Sequence, residues 1–216
     1  VVPPASRPAP LQAAPVAAVV PVHPSALAAL DWNGLADTAA ACESCGLCAG
    51  RKHATLQPAQ QTQADWMVVG DPPEEDEDSA AQAFVEAPGL LLDNMLKAIG
   101  LNRQAQGQGG VYIANTLKCR PPGNRNPEPQ ELATCAPYLV RQVALVQPRI
   151  ILAMGRFAVQ SLLQTTEPIG KLRGRVHAYQ GVPVVVTYHP AYLLRNPADK
   201  AKAWADLLLA LKTVQG

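Results

Sequence analysis

The stretch RIILAMGRFAVQSLL at residues 149–163 decides the fold class of this 216-residue chain. Its first part is an apolar, partly β-branched run with the length of a buried strand, and Gly155 ends that run. A helix-like pattern begins directly at Arg156. A buried strand that is followed at once by a helix is the repeating unit of an α/β fold with a parallel sheet.

Three further runs share this character, and helix-like stretches separate them. The runs are DWMVVG (65–70), VYIAN (111–115) and PVVVTYH (183–189), and further helices are predicted near 33–47, 89–99, 129–147 and 199–214. The alternation predicts a three-layer α/β/α fold in which a four-stranded parallel sheet lies between two layers of helices.

The predicted domain spans residues 31–216. Residues 1–30 are almost all Ala, Pro and Val and have no periodic apolar face, which predicts a disordered Ala/Pro-rich tail. No apolar run approaches the roughly 20 residues that a membrane-spanning helix needs, so we expect no membrane association.

Small or polar residues follow each predicted strand. Gly70 and Asp71 follow the first strand, Asn115 ends the second, Gly155 ends the third and His189 ends the fourth. Ligands of open parallel sheets bind beyond the carboxyl ends of the strands. We therefore expect a functional site at this edge of the sheet.

The cysteines suggest a second site. Cys42 and Cys45 form a CxxC at the end of the first predicted helix, whereas Cys119 and Cys135 come far later. Two local and two distant thiolates can close a four-thiolate site, which suits either zinc or an iron–sulfur cluster; unligated core cysteines are the alternative. Cys48 either replaces one of the local ligands or is a small buried hydrophobe. An odd number of thiols without a recognisable export signal argues against a disulfide framework and for a cytoplasmic location.

Charge is divided unevenly along the chain. Residues 1–110 carry 5 basic and 12 acidic side chains, and residues 111–216 carry 13 basic and 5 acidic side chains. A basic half attracts a polyanion such as DNA, although an unevenly charged solvated surface explains the same counts. The acidic run at 74–78 is expected to be a solvated loop.

Several segments together resemble the family 4 uracil-DNA glycosylases, the iron–sulfur branch of the uracil-DNA glycosylase superfamily. The resemblance covers roughly residues 40–214. It rests on ACESCGLC (41–48), WMVVGDPPEEDED (66–78), AFVEAPGLLLDNML (83–96), VYIANTLKCRPPGNRNP (111–127), ILAMGR (151–156), KLRGRVHAY (171–179) and VTYHPAYLLRNP (186–197). It implies a monofunctional DNA-repair enzyme that hydrolyses the N-glycosidic bond of uracil in single- or double-stranded DNA and leaves an abasic site. A monomer is expected.

The resemblance also implies roles for individual residues. A [4Fe–4S] cluster would have four ligands: Cys42, Cys45, Cys119 and Cys135. The implied catalytic residues are Asp71, which stands where the family usually has Glu, and His189. The implied uracil contacts are Gly70, Phe84 as the stacking ring and Asn115 as the reader of the base edge. The implied DNA contacts are Leu193 as a wedge in the duplex and Arg195, Lys118, Arg120 and Arg125 at phosphates.

The chemistry of base removal accounts for these residue types. A flipped base loses its bond to the sugar as negative charge grows on uracil and positive charge grows on the sugar. His189 can donate a hydrogen bond to a uracil oxygen, and an Asp71 carboxylate can stabilise the sugar or orient water. Asn115 offers both a donor and an acceptor to uracil O4 and N3–H.

The chain departs from the family at its glycines. Glu74 replaces the last glycine of the loop after the first strand, and Ala81 and Glu86 replace both glycines that flank the Phe84 segment. Glycine lets backbone approach a ligand closely, so these changes can close the pocket or alter the preferred base. A non-catalytic DNA-binding relative and a glycosylase for another deaminated base, such as hypoxanthine or xanthine, are therefore the alternatives to an active uracil-DNA glycosylase.

Overall fold

The computed structural model describes residues 24–56, 63–105 and 107–215. Its five strands are β1 (Ala64–Gly70), β2 (Gly107–Asn115), β3 (Ile150–Met154), β4 (Val176–Tyr179) and β5 (Val182–Thr187). They form one sheet in the order β2-β1-β3-β5-β4. All neighbouring pairs are parallel except β4 and β5, which are antiparallel.

The four predicted parallel strands are confirmed, and the sheet has one strand more than predicted. β4 is only four residues long, and its side chains alternate between exposed and half-buried. A two-residue hairpin joins it to β5, with Gln180 and Gly181 both at positive φ (49° and 82°). The sequence reading missed β4 because a short, half-exposed edge strand lacks the continuous apolar run of a buried one.

Nine helices occupy the described residues. They are α1 (Pro24–Leu27), α2 (Trp32–Ala40), α3 (Glu75–Ala80), α4 (Glu86–Ala98), α5 (Pro129–Val146), α6 (Arg156–Leu163), α7 (Ile169–Leu172), α8 (Pro190–Arg195) and α9 (Lys200–Gln215). Short 3-10 turns lie at Gly46–Gly50, Pro122–Asn124 and Pro197–Asp199. The first predicted helix is shorter than expected, since α2 ends at Ala40 and the CxxC lies beyond it.

Local sequence signals explain where the longer helices begin. The Asp31 carboxylate accepts a hydrogen bond from the Gly34 N–H at 2.9 Å and so caps α2. Pro129 opens α5 after Glu128, which forms a reciprocal capping box with Glu131.

Both faces of the sheet are buried, which confirms the three-layer arrangement. Alternate residues of β1 point to opposite faces: Trp66 and Val68 join the core on the α4 and α9 side, and Met67 and Val69 join the core on the α5 and α6 side. No helix in the described ranges has the length and apolarity that crossing a membrane requires.

The domain begins earlier than predicted. Leu27 in α1 is only 1% exposed and belongs to an apolar cluster with residues of α2 and α5. Arg141 of α5 donates a hydrogen bond to the Leu30 carbonyl at 2.7 Å. Assigning residues 24–30 to a disordered tail was therefore wrong, because this segment packs on the domain. Residues 1–23, the rest of the predicted tail, lie outside the described residues.

Candidate functional site

The ends of the parallel strands bring the predicted residues together. Gly70 at the end of β1 pairs with Asn115 at the end of β2. A Cβ atom at Gly70 would lie 2.5 Å from the Phe84 ring and 3.6 Å from Nε2 of His189. Glycine is therefore required at position 70, because a side chain there would collide with the Phe84 ring.

Asn115 is fully buried, with one end of its amide occupied and the other free. Its Nδ2 donates to the Asp71 carbonyl at 2.9 Å and to Glu77 Oε1 at 3.2 Å. Among the described residues, its Oδ1 has no hydrogen-bond partner. A buried acceptor without a partner is costly, so this oxygen is suited to a donor that a ligand supplies.

Asp71 is fixed at the start of α6. Its Oδ1 accepts hydrogen bonds from the backbone N–H groups of Phe157 at 2.8 Å and Ala158 at 3.1 Å. The carboxylate also lies against Gly155, where φ is +108° and a Cβ atom would overlap it. Burial raises the pKa of Asp71 to about 6, although these N–H groups and the Arg156 charge oppose the rise.

His189 is held in a neutral form that can donate from Nε2. Its Nδ1 accepts a hydrogen bond from the Ala191 N–H at 3.2 Å, so the ring proton is on Nε2. Burial, followed by the nearby Arg195 charge, lowers the pKa of His189 to about 4. The ring stacks on Phe84 with centroids 4.8 Å apart and an interplanar angle of 26°.

Phe84 is clamped in an unusual backbone conformation. Its φ is +54°, its N–H donates to Glu77 Oε1 at 2.6 Å, and its carbonyl accepts from Arg103 Nη1 at 3.1 Å. The side chain is 2% exposed and already contacts His189, so a base that stacks between the two rings requires Phe84 to move. A surface cavity of about 380 Å³ that Phe84 and Gly89 help to line offers space beside the ring.

Glu77 and Arg103 are site residues that the sequence reading missed. The acidic run at 74–78 was expected to be solvated, and this is wrong for Glu77 and Asp78, which are 7% and 1% exposed. Glu77 forms a capping box with Glu74 at the start of α3, and the Glu-x-x-Glu spacing was the signal that could have found it. The sequence offers no comparable signal for Arg103.

The predicted DNA contacts fall into three groups. Leu193 and Lys118 are 1% and 2% exposed, so their predicted contacts with the duplex and with phosphate are wrong. Leu193 faces the core from α8, and the neighbouring Leu194 is the leucine that is exposed, at 43%. Arg195 is exposed at the end of α8, and its phosphate contact stays a prediction.

Arg120 and Arg125 are both engaged with acidic residues. Arg120 is mostly buried and forms an ion pair with Glu75 at 3.1 Å. Arg125 donates two hydrogen bonds of 2.9 and 2.6 Å to the Glu131 carboxylate. A phosphate contact by either arginine must compete with these ion pairs, so the phosphate contacts predicted for them stay predictions as well.

The four cysteines named by the sequence analysis converge on one region. Cys42 and Cys135 border one apolar cluster, and Cys45, Cys119 and Cys135 share the next. Arg51 Nη1 lies 3.3 Å from Cys119 Sγ and 2.9 Å from the Cys42 carbonyl. All five cysteines are free thiols. In the part of the chain that the structure describes, no three His, Cys, Asp or Glu side chains form a group that could hold a metal ion.

The cysteine site has an uneven electrostatic environment. Burial raises the pKa of Cys135 to about 12, against the charge and the backbone N–H of Lys118. Burial also raises the pKa of Cys42, but hydrogen bonds from Tyr138 and Ser44 together with the Arg51 charge lower it overall. Burial lowers the pKa of Lys118 to about 8, against an opposing influence of the nearby Cys135 and Cys119 side chains.

Comparison with known proteins places these features in one family. The model of the uracil DNA glycosylase superfamily matches residues 58–208. A type-4 uracil-DNA glycosylase of Pyrobaculum aerophilum is 35% identical over 190 residues, which cover 83% of this chain and 93% of the relative. The type-4 enzyme of Archaeoglobus fulgidus is 39% identical over 66% of this chain and 73% of its own length, and that of Thermotoga maritima is 38% identical over 62% and 68%.

The match spans the strand ends that carry Gly70, Asp71, Asn115 and His189, and it includes the Phe84 segment. The sequence resemblance and the site geometry therefore agree. This chain belongs to the uracil DNA glycosylase superfamily, in the family of the type-4 uracil-DNA glycosylases.

Proposed function

We propose that this protein is a monofunctional uracil-DNA glycosylase that removes uracil from DNA and leaves an abasic site. The observation that carries the proposal is the buried, unpartnered Oδ1 of Asn115 beside the stacked rings of Phe84 and His189. Uracil carries a donor at N3, which satisfies this acceptor. Cytosine has a lone pair at N3, which Oδ1 repels, so Asn115 distinguishes the two bases.

The amide works differently from the sequence-based expectation. Asn115 Nδ2 already donates to the Asp71 carbonyl and to Glu77, which leaves Oδ1 as the reading atom. Glu77 also holds the Phe84 N–H, so one carboxylate positions both the reading amide and the stacking ring. This arrangement fixes the two groups relative to each other before the base arrives.

His189 and Asp71 supply the groups that bond cleavage needs. As the N1–C1′ bond breaks, its electron pair stays on uracil, and the neutral His189 donates from Nε2 to a uracil oxygen. Water adds to C1′ of the sugar. Asp71, as a carboxylate above pH 6, stabilises the positive sugar and receives or relays the proton that the water loses.

The cysteines suit a thiolate-bound cluster by residue type and by the cations near them, although the described side chains do not form a ready-made metal-binding group. Two buried or half-buried cations lie near these cysteines: Lys118 is near Cys135 and Cys119, and Arg51 is near Cys119 and Cys42. Metal-bound thiolates would supply negative charge that balances these cations. Cys42, Cys45, Cys119 and Cys135 would hold a [4Fe–4S] cluster, which supplies a covalent link between the loop after α2 and the segment from β2 to α5. Cys48 is left without a ligand role. Iron and sulfide analysis with a visible spectrum distinguishes the cluster from colourless zinc.

The DNA-facing surface lies around α8. Leu194 is the exposed leucine that can fill the space of the extruded nucleotide, and Arg195 follows it as a phosphate contact. The protein acts as a monomer in the cytoplasm, on single- or double-stranded DNA.

The proposal is tested by measuring base release. Cluster-loaded protein is incubated with single-stranded and duplex DNA that contains uracil, hypoxanthine or xanthine, and abasic sites are counted. We expect uracil release, and a loss of about 10–100-fold in Asn115→Ala, because the N3–H of the bound base is left buried without an acceptor. Asn94→Ala, at an exposed position of α4, is the matched control and should retain full activity. Intact protein that releases no uracil would refute the proposal.

The same assay addresses the second candidate, a non-catalytic DNA-binding relative. The contact of the Phe84 ring with Gly70 and His189 favours it, because the ring fills the space next to the reading amide. This candidate predicts salt-sensitive DNA binding without release of any base. Release of hypoxanthine or xanthine but not uracil would instead identify a glycosylase for another deaminated base.

A further inference from the structure

Two neighbouring acidic residues are the buried part of α3. Glu77 and Asp78 are 7% and 1% exposed, whereas the other residues of the helix are exposed, and none of them is a large apolar residue. A helix of six residues is too short to be stable by itself, so its position depends on its contacts with the rest of the domain. For α3 these contacts are mainly hydrogen bonds, because the helix has no apolar face to pack.

Asp78 fixes α3 to the segment at residues 52–53. Its Oδ1 accepts hydrogen bonds from the backbone N–H groups of Lys52 at 3.1 Å and His53 at 3.3 Å, and its Oδ2 lies 3.2 Å from the same Lys52 nitrogen. His53 Nδ1 also donates to the Asp78 carbonyl at 3.1 Å. Among the described residues, no cationic side chain lies at ion-pair distance from Asp78. Backbone N–H groups therefore take the place of a counter-ion for this buried carboxyl group.

The surface ion pairs of α3 are weaker anchors. Glu75 lies 3.1 Å from Arg120 and 3.9 Å from Lys52, but the Glu75 side chain is 60% exposed. Exposed pairs of this kind contribute little to stability, because water and salt screen them. The hydrogen bonds of the buried Asp78 therefore hold the helix more firmly than the ion pairs of Glu75 do.

Glu77 carries the position of α3 to the base-reading site. Its Oε1 accepts from the Phe84 N–H at 2.6 Å and from Asn115 Nδ2 at 3.2 Å. The second distance is at the upper end of the usual range for a hydrogen bond, so a shift of α3 away from β2 by about 0.5 Å breaks it. The Asp71 carbonyl then holds Nδ2 alone, and the Asn115 amide can turn more freely.

We propose that Asp78 is a positioning residue, which anchors α3 and thereby fixes Glu77 in its place beside Asn115. The inference rests on the proposed function, because that function assigns Asn115 to the edge of uracil. A fixed amide offers Oδ1 to the base and so prefers uracil, which has a donor at N3. A loosened amide also offers Nδ2, which N3 of cytosine accepts. Loss of the anchor should therefore reduce the preference for uracil over cytosine.

The experiment measures base discrimination by binding, without cleavage. Cluster-loaded protein is titrated into single-stranded DNA that carries one 2′-fluoroarabino-uridine or one 2′-fluoroarabino-cytidine, whose glycosidic bonds resist hydrolysis. Fluorescence anisotropy gives the two dissociation constants. We expect wild type to bind the uridine DNA more tightly. In Asp78→Ala, this preference should fall by about 3–10-fold, which corresponds to the loss of one hydrogen bond.

Three further variants test whether the effect belongs to the anchor. Asp78→Asn keeps one oxygen that accepts from the Lys52 N–H, so its preference should lie between those of wild type and Asp78→Ala. His53→Ala, at an exposed position, removes only the donor to the Asp78 carbonyl and should lower the preference by about 2-fold. Asp76→Ala, at an exposed position of the same helix, is the matched control and should keep the wild-type preference.

The variants separate anchoring from a purely structural role. If Asp78→Ala has a lower Tm but the folded protein keeps the wild-type preference for uridine, Asp78 only stabilises the fold, and the proposal is overturned. If Asp78→Ala does not fold, Asp78→Asn and His53→Ala decide. A wild-type preference in both of these variants overturns the proposal.

The outcomes also separate this inference from the proposed function. Wild-type protein that binds both DNAs equally contradicts the reading role of Asn115. Wild-type protein that prefers the uridine DNA but releases no uracil contradicts the catalytic part of the proposed function and leaves the anchoring role of Asp78 intact. A preference for uridine that is the same in wild type and in the Asp78 variants contradicts only the anchoring role.

Discussion

Restoring glycine at Ala81 and Glu86 should stabilise this protein. Ala81 ends α3 in the left-handed region at φ +55°, and Glu86 begins α4 at φ +52°. An L-residue in this region costs roughly 1–2 kcal/mol, and glycine removes that cost. Glycine also increases the entropy of the unfolded chain, which offsets about 0.4–1 kcal/mol of the gain.

The free energy of unfolding should increase by about 0.5–1 kcal/mol for each substitution. It should increase by about 1–2 kcal/mol for the double variant, since Ala81 ends one helix and Glu86 begins another and their effects should add. For a domain of this size, about 1 kcal/mol shifts Tm by roughly 2–4 °C, so the double variant should melt about 2–8 °C higher than wild type. Thermal unfolding of the cluster-loaded protein, followed by near-ultraviolet circular dichroism, measures the shift.

The control is Ala205→Gly, at an exposed position inside α9, where glycine should destabilise the fold by about 1 kcal/mol. A Tm that rises in Ala81→Gly and falls in Ala205→Gly would indicate backbone strain at position 81. If Ala81→Gly lowers Tm as Ala205→Gly does, the left-handed conformation at position 81 is wrong, and the strain argument for the Phe84 segment is refuted.

Three further predictions concern the site. Asp71→Asn should raise the free energy of unfolding at pH 7.5 by up to about 3 kcal/mol while it lowers uracil release, because the folded state raises the pKa of Asp71 from 3.8 to about 6 and so disfavours its ionised form. This gain in stability should vanish below pH 4, where the carboxyl is protonated in both the folded and the unfolded state. Denaturant titrations of both proteins at the two pH values measure the difference. Arg103→Ala should weaken uracil binding about tenfold and leave a folded protein, because the Phe84 carbonyl loses its donor; unchanged affinity in a uracil titration would contradict this. Leu194→Ala should reduce uracil release from duplex DNA more than from single strands, and equal effects on both substrates would contradict the wedge role of Leu194. Leu193→Ala should instead lower the free energy of unfolding by about 2–5 kcal/mol, because it leaves a cavity.

The sequence predicted the sheet and its functional edge because both depend on strong local signals. Apolar, β-branched runs mark parallel strands buried on both faces, and their carboxyl ends must meet at one edge. Gly70, Asp71, Asn115 and His189 could therefore be brought together without coordinates. The spacing of the cysteines likewise predicted one local pair and two distant partners, and the structure gathers these residues in one region.

Side-chain direction and partner choice were beyond the sequence. Leu193 and Leu194 are adjacent on α8, and only the packing of that helix decides which leucine faces the core. Lys118 was read as a phosphate contact because a lysine is usually exposed, yet its ammonium is buried and donates to the Asn115 carbonyl. Glu77 and Arg103 act through the backbone of Phe84, and long-range contacts of this kind leave little trace in a linear pattern.

A crystal structure of the cluster-loaded protein with free uracil tests the central claim most directly. We expect the base against the Phe84 ring, with its N3 about 2.7–3.2 Å from Asn115 Oδ1 and one carbonyl oxygen facing His189 Nε2. Uracil bound elsewhere, or bound here with Asn115 Oδ1 still without a partner, would contradict the account.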